Sequence, residues 1–206
     1  MEHSKLGGHK PLPDRLFSSY EQLPATRFVI LRAWERWSEH ADRKRLKHVQ
    51  AFVAEDMSPA LGWKRPAQVV LTCVSKTSVT PAQVDHTRQL LQLLPRRLGF
   101  QSLVGVFDSD SSWVFVQEFD PTALWLSDVF LQATFSEDKL RKIVFQLAAM
   151  LHFLHAHRLS LAGQLYLHDL VQTSATKKVI LLLSPCLVFS GCTLVLATKR
   201  NKDTDM

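Results

Sequence analysis

The chain has 206 residues, enough for one domain of ordinary size or two small ones. Apolar residues make up 46% and charged residues 21%, which excludes a disordered chain; seven glycines and no continuous heptad exclude collagen and coiled coil. The net charge of +6 (25 basic minus 19 acidic residues) is spread over small clusters, so it favours acidic surroundings without naming nucleic acid or membrane.

Residues 1–26 carry Gly7, Gly8, Pro11, Pro13 and Pro24 among polar residues and read as a flexible lead-in. They hold no apolar core of a secretory signal, so a reducing, cytoplasmic compartment is expected. The three cysteines, Cys73, Cys186 and Cys192, form no CxxC pair and suggest neither a disulfide framework nor a zinc site. Segment 27–48 is open to two readings. Ile30, Trp34, Trp37 and Ala41 lie near helical spacing, whereas Phe28–Ala33 also suits a strand followed by a charged loop. VQAFVAED (49–56) and the β-branched QVVLTCVSK (68–76) read as strands around the turn residues 57–67.

Thr80-Pro81 marks a helix start, and Pro95 ends that helix after Leu94. Residues 102–119 form a hairpin about the turn Asp108–Ser112. ALWLSDVF (123–130) suits one or two helical turns. Ser136 precedes Glu137 and Asp138, two acids that suit the positive end of a helix. Leu140, Ile143, Val144, Leu147, Met150, Leu151 and Leu154 then recur at helical spacing, so 136–157 is expected to be a core helix. A short strand at 164–171, a polar turn at 172–178 and a strand at 179–183 follow. Residues 179–197 carry no charge and are flanked by Lys177-Lys178 and Lys199-Arg200; that length suits a membrane span, although Pro185 and Gly191 interrupt it.

LVGVFDSDSSWVFVQEF (103–119) and EDKLRKIVFQLAAMLHFLHAHRL (137–159) resemble eukaryotic protein kinases: the first the strand pair leading into the interlobe hinge, the second the long helix ending in a Leu-His pair. The order strand, strand, helix, hairpin, short helix, long helix, hairpin fits the first two thirds of such a domain. The resemblance implies an α+β, protein kinase-like bilobal fold. A small β-rich N-lobe would occupy about 27–118, and an incomplete helical C-lobe about 121–187, before an apolar, then polar tail at 188–206. A complete kinase domain of roughly 250–280 residues would not fit, so the C-lobe is expected to be truncated and its core face open to a partner or a membrane.

The same resemblance implies that the catalytic parts are missing. Phosphoryl transfer relies on positioned charge. The stretch matching the glycine-rich loop, AWERWSE (33–39), has no glycine, and it places Glu35 and Trp37 where phosphates would lie. Thr72 stands at the phosphate-clamping lysine, with Lys76 four residues on and on the same face by parity. Helix 80–94 has no Glu, and Asp85 is its one acid. Leu161, Ala162 and Gly163 replace the catalytic His-Arg-Asp, His168 falls at the metal-binding Asn, and Leu183-Ser184-Pro185 replaces the metal-binding tripeptide. The expected protein is therefore not an enzyme but a catalytically inactive interaction or regulatory module, a pseudokinase scaffold. Its vestigial nucleotide cleft would be lined by Thr72, Gln117, Glu118, Phe119 and Leu183, with no catalytic residue, cofactor or metal, and with a protein partner. His152, His155 and His157 lie close together but lack the Cys or paired carboxylate that would complete a metal site. Two alternatives stand beside this reading. One is a membrane-associated adaptor anchored through 179–197. The other, less favoured, is a basic nucleic-acid-binding protein using 27–48, where RKRLKH (43–48) is the densest basic run.

Overall fold

A computed structural model describes residues 20–34, 49–58, 67–132, 136–157, 159–161, 165, 167–182 and 195–196. The protein is α+β, organised about a five-stranded antiparallel sheet. Its strands are β1 (Phe28–Ala33), β2 (Val49–Asp56), β3 (Ala67–Ser75), β4 (Leu103–Asp108) and β5 (Ser112–Glu118), in the order β1-β2-β3-β5-β4. Segment 27–34 thus takes its strand alternative. The ladder to β2 continues past β1, with the Trp34 N–H donating to Ala51 O at 2.9 Å. Residues 35–48, with the basic run, lie outside the described residues.

Alternation gives this sheet two apolar faces. Val53, Val70, Val74, Val106 and Phe115 project to one, packing with Val84, Leu90 and Leu91 of helix α1 (Pro81–Leu93). Ala54, Val69, Leu71, Phe107, Val114 and Val116 project to the other, against Leu23 and Phe28. Helix α1 starts in a capping box. Thr80 Oγ1 accepts from Gln83 N at 3.3 Å, Gln83 Oε1 accepts from Thr80 N at 2.8 Å, and Pro81 begins the first turn.

The chain also covers one edge of the sheet. Asp108 N donates to Glu21 O at 2.9 Å, and Leu23 N donates to Asp108 O at 2.7 Å. Tyr20 Oη donates to Asp85 Oδ1 of α1 at 2.5 Å, and its ring lies 4.9 Å from that of Trp113. Burial, reinforced by the Asp85 carboxylate, pushes the Tyr20 phenol well above its ordinary pKa. Residues 20–23, read from sequence as part of a lead-in, are therefore fastened to both sheet and helix.

Beyond β5, strand β6 (Leu124–Trp125) runs into α2 (Leu126–Gln132), and α3 spans Glu137–Ala156. Ser136 Oγ accepts from Lys139 N at 3.4 Å as the N-cap. Helix α3 differs from the expected core helix. Ile143, Met150 and Leu154 are buried on one stripe, but Leu140, Val144 and Phe145 are exposed, Phe145 at 76%. Strand β7 (Leu159–Ser160), a single turn at Leu167–Asp169, β8 (Leu170–Gln172) and β9 (Val179–Leu181) follow; β6, β8 and β9 form a small antiparallel sheet. Of the strand expected at 164–171, Leu170 and Val171 lie in β8 and Leu167–Asp169 form the turn before it, while 164 and 166 lie outside the described residues.

Val179–Leu181 pairs with β8, and β10 (Val195–Leu196) pairs with β7. The uncharged stretch 179–197 therefore begins and ends in strands, and 183–194 lie outside the described residues. Among the described residues no helix is long and apolar enough to cross a membrane.

The two sheets are tied together at Gly99–Gln101. Leu181 N donates to Gly99 O at 2.7 Å and Gln101 N to Leu181 O at 3.2 Å. Phe153 of α3 lies 5.8 Å from Phe100, and Val179 N donates to Gln146 Oε1 of α3 at 2.9 Å.

Candidate functional site

A cleft of about 1410 Å³ opens where the end of the five-stranded sheet meets the β6-β8-β9 sheet. Its spine is the segment leaving β5. Glu118 is held by Arg96 (Nε–Oε2 3.1 Å), and its carbonyl accepts from Gln101 Nε2 at 2.9 Å. Phe119 N donates to Gln68 O at 3.1 Å, which keeps the segment against β3. Asp120 Oδ1 then accepts from Thr122 N (2.9 Å) and Thr122 Oγ1 (2.7 Å), closing a turn that aims the chain at β6.

Three aromatic rings from separate parts of the chain meet in the wall. Trp34, at the end of β1, lies 6.1 Å from Phe119 at an interplanar angle of 66°, and 6.2 Å from Trp125 at 32°. These separations are typical of favourable aromatic pairs. Trp34 is 8% exposed.

Two ion pairs, Arg27–Asp56 and Arg96–Glu118, stand in the wall, which Arg32, Glu55 and Asp120 also line. Arg27 grips Asp56 with two hydrogen bonds, Nε to Oδ1 at 3.1 Å and Nη2 to Oδ2 at 2.9 Å, and Ser58 N donates to the same carboxylate at 2.9 Å. Burial pushes the Asp56 carboxyl up, but the hydrogen bonds from Arg27 and Ser58 outweigh it and hold the group below the usual carboxylate range. Across the cleft, Lys178 Nζ donates to Arg96 O at 2.7 Å. Burial, with the Arg96 charge beside it, draws the Lys178 amine below its ordinary value.

The chain matches no known family model, and no curated protein matches it.

The residues expected to line a nucleotide cleft separate into groups. Glu118 and Phe119 do line the cavity. Thr72 and Gln117, each 1% exposed, lie inside the sheet instead. They project to the face that carries Val70 and Phe115, which the rest of the fold covers. Leu183 lies outside the described residues, as do Glu35, Trp37, Ala162, Gly163, Ser184 and Pro185; Leu161 is buried. Lys76 is at the opposite end of β3. Its Nζ is 2.5 Å from Asp108 Oδ1 and 5.2 Å from the Trp113 ring, so it serves the hairpin turn. Asp85 is shared between Tyr20 and Arg88, whose Nη2 is 2.9 Å from Oδ1.

His152, His155 and His157 are exposed, and among the described residues no group of three metal-binding side chains comes together. Cys73 is half-buried, and burial raises its thiol pKa, which disfavours the reactive thiolate. Cys186 and Cys192 are outside the described residues. Sequence reasoning missed Trp34 and Trp125 as wall residues. The available signal was an aromatic at the close of one apolar stretch and another just past a proline: Trp34 after 28–33 and Trp125 four residues past Pro121.

Proposed function

We propose that the chain is a protein kinase-like module that carries out no phosphoryl transfer and works by docking other proteins. The kinship rests on the resemblance at 103–119 and 137–159. It is supported by the order of elements: a five-stranded lobe interrupted by one helix, then a hinge-like segment at 118–121, then a long helix. The absence of transfer rests on one observation above the others. At the phosphate-clamping position β3 carries Thr72 in the core, while Lys76 is committed to Asp108 and the acid of α1 to Tyr20 and Arg88. A lysine–carboxylate pair is needed to align the phosphates, and these residues are spent on holding the fold.

The docking role is supported by the apolar faces of α2 and α3, where Leu131 is 86% exposed and Val144 55%. On α3, Leu140 and Val144 lie one turn apart with Phe145 beside them, all exposed, and exposed apolar patches mark interaction sites. Thermal denaturation with and without Mg-ATP tests the reading. Ligand that binds the native state raises stability by mass action, so Mg-ATP should leave the melting temperature unmoved. A metal-dependent rise of several degrees overturns it.

A further inference from the structure

In strand β1 the residues from Val29 to Ala33 are all exposed, yet the next residue, Trp34, turns inward and is buried. Its backbone stays on the ladder through Ala51 O, so the indole enters the cleft from a fixed anchor. There it packs edge-on against Phe119 and tilted against Trp125. These rings come from two different segments, and β6 joins Trp125 to the smaller sheet. Of the nearby charges, Arg27 is engaged with Asp56 and Arg96 with Glu118; Ile180 and Leu182 add apolar surface to the wall, and Arg32 and Glu55 add charge.

We propose that the position between Phe119 and Trp125 is a binding site for a flat, largely apolar aromatic ring, and that the chain occupies it with its own Trp34. Selectivity there comes from ring shape and from the edge-to-face geometry that aromatic quadrupoles favour. A ligand from outside must displace the indole. Its apparent affinity for the native chain is therefore reduced by the fraction of time the position stands open. The inference stands on the cleft geometry alone, so it survives or fails independently of the kinase-like reading.

The test uses the full chain carrying Trp34→Ala, with free indole as the probe. Truncating a buried aromatic leaves an apolar gap, and gaps of about 150 Å³ are known to take up benzene. Excess indole should raise the melting temperature of Trp34→Ala by about 4 °C or more and leave the wild type within about 1 °C. Indole affinity should differ at least ~100-fold between the two proteins. Adding Phe119→Ala to Trp34→Ala should abolish the gain. A folded Trp34→Ala protein that gains nothing from indole overturns the proposal, and so does an equal response in the wild type. Should Trp34→Ala fail to fold, Trp34→Leu leaves a smaller gap: a weaker but measurable gain supports the site, and none overturns it.

Discussion

Gly99→Ala is the substitution that most directly loads the junction between the two sheets. Gly99 has φ +101°, a conformation that L-residues adopt at a cost of about 1–2 kcal/mol. A Cβ there would collide with Val179 O and sit 2.9 Å from Met150 Cε. The methionine can swing aside, but the carbonyl cannot easily follow. Val179 pairs with Gln172 and donates its N–H to Gln146 Oε1, so moving it disturbs both β9 and α3. Displacing packed backbone of this kind costs about 1–3 kcal/mol. The total of about 2–5 kcal/mol is a large share of the ~5–15 kcal/mol that holds a domain together. With a urea slope of ~2 kcal/mol/M, the unfolding midpoint should fall by roughly 1–2.5 M with the slope unchanged. Circular dichroism in urea measures it. Gly105→Ala is the control: its φ is unstrained and the new Cβ would meet only the Phe107 ring edge, at 3.2 Å. That variant should stay within about 1 kcal/mol of wild type. A Gly99→Ala midpoint within ~0.3 M of wild type would refute the account of the junction.

Tyr20→Phe removes the hydrogen bond to Asp85 and should cost about 1–2 kcal/mol, read by the same urea titration. Because the folded phenol has a raised pKa, its contribution is complete below the ordinary tyrosine value of ~10 and is lost as pH climbs beyond it; the alkaline decline should be shallower in Tyr20→Phe. Asp56 has the opposite sign. Its folded pKa is depressed, so its stabilisation is present above the ordinary value of ~3.9 and is lost as pH falls through and below it. Asp56→Asn, which strands Arg27, should lower neutral stability by about 1–3 kcal/mol and flatten the acid limb of the melting-temperature profile. On α3, Phe145→Asp combined with Val144→Lys should leave stability within about 0.5 kcal/mol while reducing the binding of an apolar fluorescent dye.

Local signals carried the sequence reading furthest. Thr80-Pro81 and Ser136-Glu137-Asp138 are helix starts written into adjacent residues, and both helices begin there. The turn at Asp108–Ser112 closes the hairpin through Ser109 N to Ser112 O, 3.0 Å. What sequence did not reveal depends on distant partners. Parity groups Thr72 with Val70 and Val74 but cannot say that their face is covered by α1 rather than open to the cleft. Periodicity places Leu140 and Val144 on the apolar side of α3 without saying whether anything packs on them. The fastening of Tyr20 to Asp85 spans 65 residues, and the meeting of Trp34 with Trp125 spans a longer stretch still, so neither leaves a local trace.

The central claim, a kinase-like scaffold whose charged residues no longer serve ATP, is tested most directly by a transfer assay. The purified chain is incubated with γ-labelled ATP, magnesium or manganese, and a generic acceptor protein. The expected result is label incorporation no higher than in a heat-inactivated control, in the chain itself and in the acceptor. Incorporation above that background, abolished by Lys76→Met, would contradict the claim, because it would mean that the cation now assigned to Asp108 reaches a phosphate.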